Sequence, residues 1–118
     1  MGRSSSAIGQ AGETLAARHL TDRGVRIIAR NVRTRAGEID LIGQAEGVLI
    51  FVEVRLRRGN RHGGAGASIT PAKQRRIITT ARAWLGARAV PCRFDAVLID
   101  GEPARITWLR DAFRADPS

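Results

Sequence analysis

The chain has 118 residues, enough for one domain with a real core and too few for two of ordinary size. Its hydrophobic fraction of 43% and charged fraction of 26% are those of a globular protein, and no stretch approaches the apolar length of a membrane span. A net charge of +9 and a pI near 11.7 favour a polyanionic partner, nucleic acid first, although charge alone does not separate DNA from RNA or from an acidic membrane.

Residues 1–6 are polar and read as a disordered tail. Residues 7–23 read as a helix in which Glu13, Ala16, Ala17 and Leu20 share one face, with Gly24 as its stop. Residues 25–33 form a first strand. Gly37-Glu38-Ile39-Asp40-Leu41-Ile42 reads as a second strand, and Val48 to Arg55 as a third. Glu46-Gly47 sits between them as a two-residue turn. Folding the hairpin there sets Asp40 opposite Glu53, Glu38 opposite Arg55 and Ile42 opposite Phe51. The other face then pairs Leu41 with Val52 and Ile39 with Val54. A slip of one residue would set Asp40 against Val52 and Glu53 among the aliphatics, so polarity selects this register.

Residues 57–69 form a basic, glycine-rich loop carrying Arg57, Arg58, Arg61 and His62, without the Gly-Lys-Ser/Thr of a P-loop. Thr70 and Pro71 open a second helix as N-cap and first helical residue. Ile77, Ile78, Ala81, Trp84 and Leu85 make its apolar stripe, and Gly86 ends it. Strands follow at 94–100 and 105–109, then a short helical turn at 111–114. The order α-β-β-β-α-β-β gives an α/β fold with a mixed central sheet of about five strands flanked by helices, its two hairpins joined by a helical crossover. Residues 7–114 are read as one domain and 115–118 as a tail.

Two acids facing each other across a hairpin repel, and a divalent cation such as Mg²⁺ or Mn²⁺ reverses that sign because it prefers oxygen ligands. Asp40 and Glu53 are therefore the candidate metal ligands. Glu53 interrupts an apolar strand, and a buried acid needs a partner. Arg55, two residues further on the same face, would orient a phosphate or a water. The competing reading is a structural ion-pair cluster of Glu38, Asp40, Glu53 and Arg55. Glu13, on the apolar side of the first helix, reads equally as a third acid over the sheet or as a carboxylate favoured by the helix dipole. Lys73 and Gln74 occupy the first turn of the second helix, where backbone N–H groups favour anions. Lys73 is the single lysine beside nineteen arginines, a preference that codon bias also explains. Cys92, the single cysteine, excludes an intrachain disulfide and fits a reducing cytoplasm. With only His19 and His62 besides, the chain has a poor zinc ligand set.

Gly12-Glu13…Ala16, Asn31-Val32-Arg33, Gly37 to Ile42, Phe51-Val52-Glu53-Val54-Arg55, Thr70 to Gln74 and Cys92-Arg93-Phe94-Asp95 occur in this order. Together they resemble the YraN family of small, endonuclease-like bacterial proteins, over residues 9–113. That resemblance implies a restriction-endonuclease-like fold similar to archaeal Holliday-junction resolvases, with a PD-(D/E)xK site. It implies Asp40 and Glu53 as metal ligands, Glu13 as the helix-borne acid, and Lys73 and Gln74 as auxiliary residues. The broader nuclease motif has Lys where this chain has Arg55, and arginine does not release a proton as lysine can.

The expected function is a Mg²⁺- or Mn²⁺-dependent nuclease acting on DNA, including branched or structured DNA, in the cytoplasm. Asp40, Glu53, Arg55 and Glu13 would form the catalytic set. Arg57, Arg58, Arg61, Arg75 and Arg76 would hold the phosphate backbone. A homodimer is compatible with nucleases of this architecture. The rival readings are a DNA-binding module on the same fold without turnover, and a subunit that docks another protein.

Overall fold

The computed structural model describes residues 7–57 and 69–115. Helix α1 spans Ala7–Asp22 and α2 Pro71–Leu85. The strands are β1 (Arg26–Arg33), β2 (Glu38–Ala45), β3 (Val48–Arg57), β4 (Cys92–Asp100) and β5 (Arg105–Phe113). They lie in one sheet in chain order, antiparallel except for the parallel pair β3 and β4. The α2 crossover makes that parallel pair possible. This is the expected mixed α/β architecture. The expected tails and loop residues Arg58, Arg61 and His62 fall outside the described residues.

Each helix covers one face of the sheet. Ala16, Ala17 and Leu20 of α1 pack on Leu41, Ile50, Val52, Val54, Val97 and Ile99. Ile77 and Ala81 of α2 pack on Ile39, Ile42, Phe51, Phe94 and Leu98. The near-continuous apolar run of β3 follows from its position, central and covered on both faces. Thr70 caps α2, its hydroxyl accepting the Lys73 N–H at 3.1 Å, and Pro71 stands at the first helical position.

The hairpin register is the expected one from Leu41–Val52 to Ala45–Val48. Glu46 and Gly47 both take positive φ, 53° and 79°, the twist that a two-residue hairpin turn requires. Beyond Leu41–Val52 the expected pairs Asp40–Glu53 and Glu38–Arg55 are not formed, and two other expectations fail. The predicted helical turn at 111–114 is instead the end of β5, where Phe113 pairs with Phe94 after a bulge. Asp111 takes φ 56° there and donates its N–H to Asp95 Oδ1 at 2.8 Å. The carboxylate of fully buried Asp95 also accepts from Arg93 and from Trp108 Nε1, so a structural acid on β4 keeps the last residues in the sheet.

The second failed expectation is that Ile39 shares a face with Val54. Ile39 belongs to the α2 side and Val54 to the α1 side. In the β1–β2 ladder Arg30 pairs with Leu41 and Val32 with Ile39. Leu41 packs toward α1, so strict alternation would return Ile39 to α1 as well. Ile39 and Val32 turn toward α2 instead. The change of face falls at the rung between these pairs, occupied by Asn31 and Asp40. Asn31 has φ 51°, the left-handed region that Asn tolerates better than most residues.

Candidate acidic centre and its cationic rim

The acids gather where β2 and β3 part. The ladder between these strands ends at Leu41–Val52, so Asp40 and Glu53 do not form the next backbone pair. The Asp40 carboxylate takes the place of a backbone acceptor: its Oδ2 receives the Val54 N–H at 2.8 Å. This fixes the side chain between the strands, close to α1. One carboxylate oxygen from each of Glu13, Glu38 and Asp40 can be chosen so that all three lie within 4.8 Å of one another. Glu13 therefore is the third acid that its helical position allowed.

Gly12 lets α1 come this close. A Cβ at Gly12 would stand 2.6 Å from a terminal methyl of Leu56 on β3. The next residue along the helix is Glu13, so the close approach also sets that acid over the sheet.

The electrostatics follow from crowding. Burial, helped by the charge of Glu53, pushes the Asp40 carboxyl up to about 8; the Val54 N–H opposes the rise, and Glu13 and Glu38 add to it. Glu13 is also raised, first by burial, with the side chain of Asn31 and the charges of Arg30 and Arg33 working against it. At neutral pH a proton is thus retained in a cluster that a divalent cation would ionise.

Glu53 stands apart from this trio. It is 5% exposed and shares the α2-facing side of β3 with Phe51. Its Oε2 lies 3.2 Å from Lys73 Nζ and 3.6 Å from an Arg55 guanidinium nitrogen. Lys73 reaches it from the capped first turn of α2. Both cations are about one-third exposed, so the pair points from a buried acid toward solvent. Part of the rival ion-pair reading is therefore present: Glu53 is compensated by two cations, and Glu38 by Arg33 at 3.6 Å. Asp40 has no cation within ion-pair distance among the described residues.

The other candidates divide. Gln74 donates its side-chain amide to Ile69 O at 2.9 Å and serves the entry to α2 rather than the acids. Arg57 is bound to Asp100 at 2.6 Å, which joins the ends of β3 and β4 and occupies that guanidinium. Arg75 and Arg76 are exposed on α2, one helical turn or less from Lys73. Cys92 is exposed and His19 lies on α1 beside Arg23 and Asp22, neither within the acid cluster.

Sequence reasoning missed two residues. Glu38 was matched with Arg55 across the hairpin, although its spacing of two from Asp40 already placed both on one side of β2. Asn31 carried no chemical signal beyond its place in a motif, because its role depends on a backbone conformation.

Do these residues suit a divalent cation? Three carboxylates supply hard oxygen donors in a cluster that retains a proton, and the amide oxygen of Asn31 beside them is buried without a hydrogen-bond partner among the described residues. The donor set fits Mg²⁺ or Mn²⁺.

A five-stranded mixed sheet between two helices, with acids at the fork of its central hairpin, defines a small α/β protein of restriction-endonuclease-like architecture. The model of the family described as "Uncharacterised protein family UPF0102" matches residues 12–99, and the chain belongs to that family. UPF0102 is the YraN family of the resemblance above. A UPF0102 protein of Symbiobacterium thermophilum is 50% identical over 117 residues, covering 94% of this chain and 99% of its own. One from Ralstonia pickettii is 51% identical over 119 residues, covering 95% and 94%. A third, from Alkalilimnicola ehrlichii, is 53% identical over 112 residues, covering 91% and 86%. No described helix is long and apolar enough to cross a membrane.

Proposed function

We propose that this protein is a Mg²⁺- or Mn²⁺-dependent nuclease that hydrolyses phosphodiester bonds in DNA, in the cytoplasm. The observation that carries the reading is the juxtaposition at one sheet fork: the carboxylates of Glu13, Glu38 and Asp40 on the α1 side, and buried Glu53 with the cations Lys73 and Arg55 on the α2 side. A polyanion at that fork would meet both a cation site and positive side chains.

When bound, the divalent ion supplies positive charge near the reacting phosphate and acidifies water. Asp40, Glu13 and Glu38 would hold it, with Glu53 joining from the α2 side. Asp40 is already oriented for this by the Val54 N–H. Lys73 and Arg55 would turn from Glu53 to the phosphate, Arg55 through its planar fork and Lys73 as a point charge. In hydrolysis a bond forms from water oxygen to phosphorus while the bond to the leaving sugar oxygen breaks, and that oxygen takes a proton. Arg55 puts a fixed planar charge where the broader motif has lysine, and Lys73 adds a second cation from α2 against the same acid. Exposed Arg75 and Arg76 extend the phosphate-binding surface. Duplex-containing DNA, including branched or structured forms, is the substrate class we favour over single strands, because none of the five aromatic side chains is exposed for stacking.

A second reading rests on Arg55 itself: a DNA-binding module on this fold without turnover. Cleavage of duplex, single-stranded, flap and four-way DNA with Mn²⁺ decides between them. The nuclease reading expects cleavage by the wild type that Asp40→Asn and Glu53→Gln abolish while metal-free binding persists. Binding without cleavage of any substrate would leave the module. Absence of DNA binding at low salt would remove both.

A further inference from the structure

We propose that Asn31 is the positioning residue of the acid cluster: it fixes Glu13 beside Asp40, and its buried amide oxygen accepts a hydrogen bond from water carried by a hydrated divalent cation. The second half rests on the cation reading above. The first does not.

Three observations converge on this side chain. Asn31 sits in β1 on the rung across from Asp40, between the pairs Arg30–Leu41 and Val32–Ile39. Its φ of 51° is a left-handed value inside a strand, where β residues hold negative φ. Its side chain lies near enough to the Glu13 carboxylate of the neighbouring helix to oppose the rise that burial imposes on that acid. One residue thus neighbours the helix-borne acid while facing the strand-borne one.

The left-handed conformation has a geometric consequence. Both strands change faces at this rung, so Ile39 and Val32 turn to the α2 side just after Leu41 has faced α1. Without that turn, regular alternation would send the rung of Asn31 and Asp40 toward α2 and away from Glu13. The backbone of Asn31 and its amide therefore serve the same end.

The amide oxygen supplies the second half. Asn31 Oδ1 is buried and has no hydrogen-bond partner among the described residues, and it is the one buried side-chain atom of this kind there. Buried acceptors are almost always satisfied, and an exception calls for an explanation such as a catalytic role or a bound water or ion. A carboxyl that keeps its proton can donate in the metal-free protein, but once a cation ionises the cluster the carboxylates offer no donor. Water in the hydration shell of Mg²⁺ or Mn²⁺ is a donor that would arrive with the ion, since Mg²⁺ usually retains several waters. Outer partners of this kind hold ligands in place and tune affinity.

A merely structural Asn would be there because it tolerates positive φ. Asn31→Gly separates the two roles: glycine accepts this conformation freely but has no amide. The expected result is an unfolding midpoint in urea equal to or above that of the wild type, with Mn²⁺ affinity by isothermal titration lowered about tenfold. Mn²⁺ affinity within about twofold of the wild type would overturn the cation half. The contact with Glu13 is tested without metal, by a double-mutant cycle of Asn31→Gly and Glu13→Ala in urea unfolding. Non-additivity of about threefold or more in the unfolding equilibrium constant is expected. Additive effects would overturn the positioning half. A wild type that binds no Mn²⁺ would overturn both the nuclease reading and the cation half, and the cycle would still decide the other.

Discussion

Asp40 is an acid whose surroundings shift its carboxyl far from the ordinary range. Its ordinary value of 3.8 is raised to about 8 in the folded chain, chiefly by burial. Between these values the folded state holds a proton that the unfolded state has released. Stability therefore falls as pH rises through this window, and the contribution is fully present only below it. The metal-free protein should lose stability between about pH 4 and pH 8, at most by ~1.4 kcal/mol per pH unit from this group. Asp40→Asn should flatten that slope and raise stability at pH 8, measured by urea unfolding across the pH series. An unchanged slope in the variant would mean that another group titrates. Lys73 offers a second test. Lys73→Met leaves buried Glu53 with Arg55 as its remaining cation, so we expect destabilisation of ~1–2 kcal/mol, less than for breaking an isolated buried pair. Lys73→Arg should restore the stability, because it keeps a cation against Glu53.

The elements meet at two glycines that the fold uses differently. A Cβ on Gly43 of β2 would stand 2.5 Å from Val25 Cγ1 and 3.3 Å from Arg26 O. Val25 is buried and the second contact is backbone, so neither yields easily. Gly43→Ala should cost about 1–3 kcal/mol by overpacking. At Gly12 the obstacle is the end of Leu56, a side chain 44% exposed that can swing into solvent. Gly12→Ala should cost less than about 1 kcal/mol in stability, because Leu56 yields and alanine favours the helix. Equal costs at the two glycines, read by thermal or urea unfolding, would contradict this distinction between a rigid and a yielding neighbour. The misread C-terminus is also a matter of elements. Asp111 to Arg114 is too short for periodicity to decide, and the residue that holds it in the sheet, Asp95, lies on another strand.

At the scale of the molecule, the charge of +9 coexists with a cluster of three carboxylates. Arg75 and Arg76 are exposed beside Lys73 on α2, whereas Arg57 is tied to Asp100. Replacing Arg75 or Arg76 with Ala should shallow the salt dependence of duplex binding by ~0.9 log units per decade for each phosphate that the variant leaves unneutralised. Arg57→Ala should change stability more than that slope. Fluorescence anisotropy over a salt series measures both, and equal slopes in all three variants would remove α2 from the interface.

The amino-acid sequence alone determined the element order, the turn at Glu46-Gly47, the hairpin register from that turn to Leu41–Val52, the capped start of α2 and the candidacy of Asp40, Glu53, Glu13 and Lys73. These rest on local chemistry: alternation, helical spacing, turn propensity and the rarity of an acid in an apolar strand. Tertiary structure decided which acids share a space. Asp40 joins Glu13 and Glu38 because one left-handed residue on β1 turns a rung of the sheet, whereas Glu53 keeps to the α2 side with Phe51 and meets Lys73 there. The first does not follow from spacing, since strand periodicity assumes a regular ladder and the acids gather where the ladder breaks.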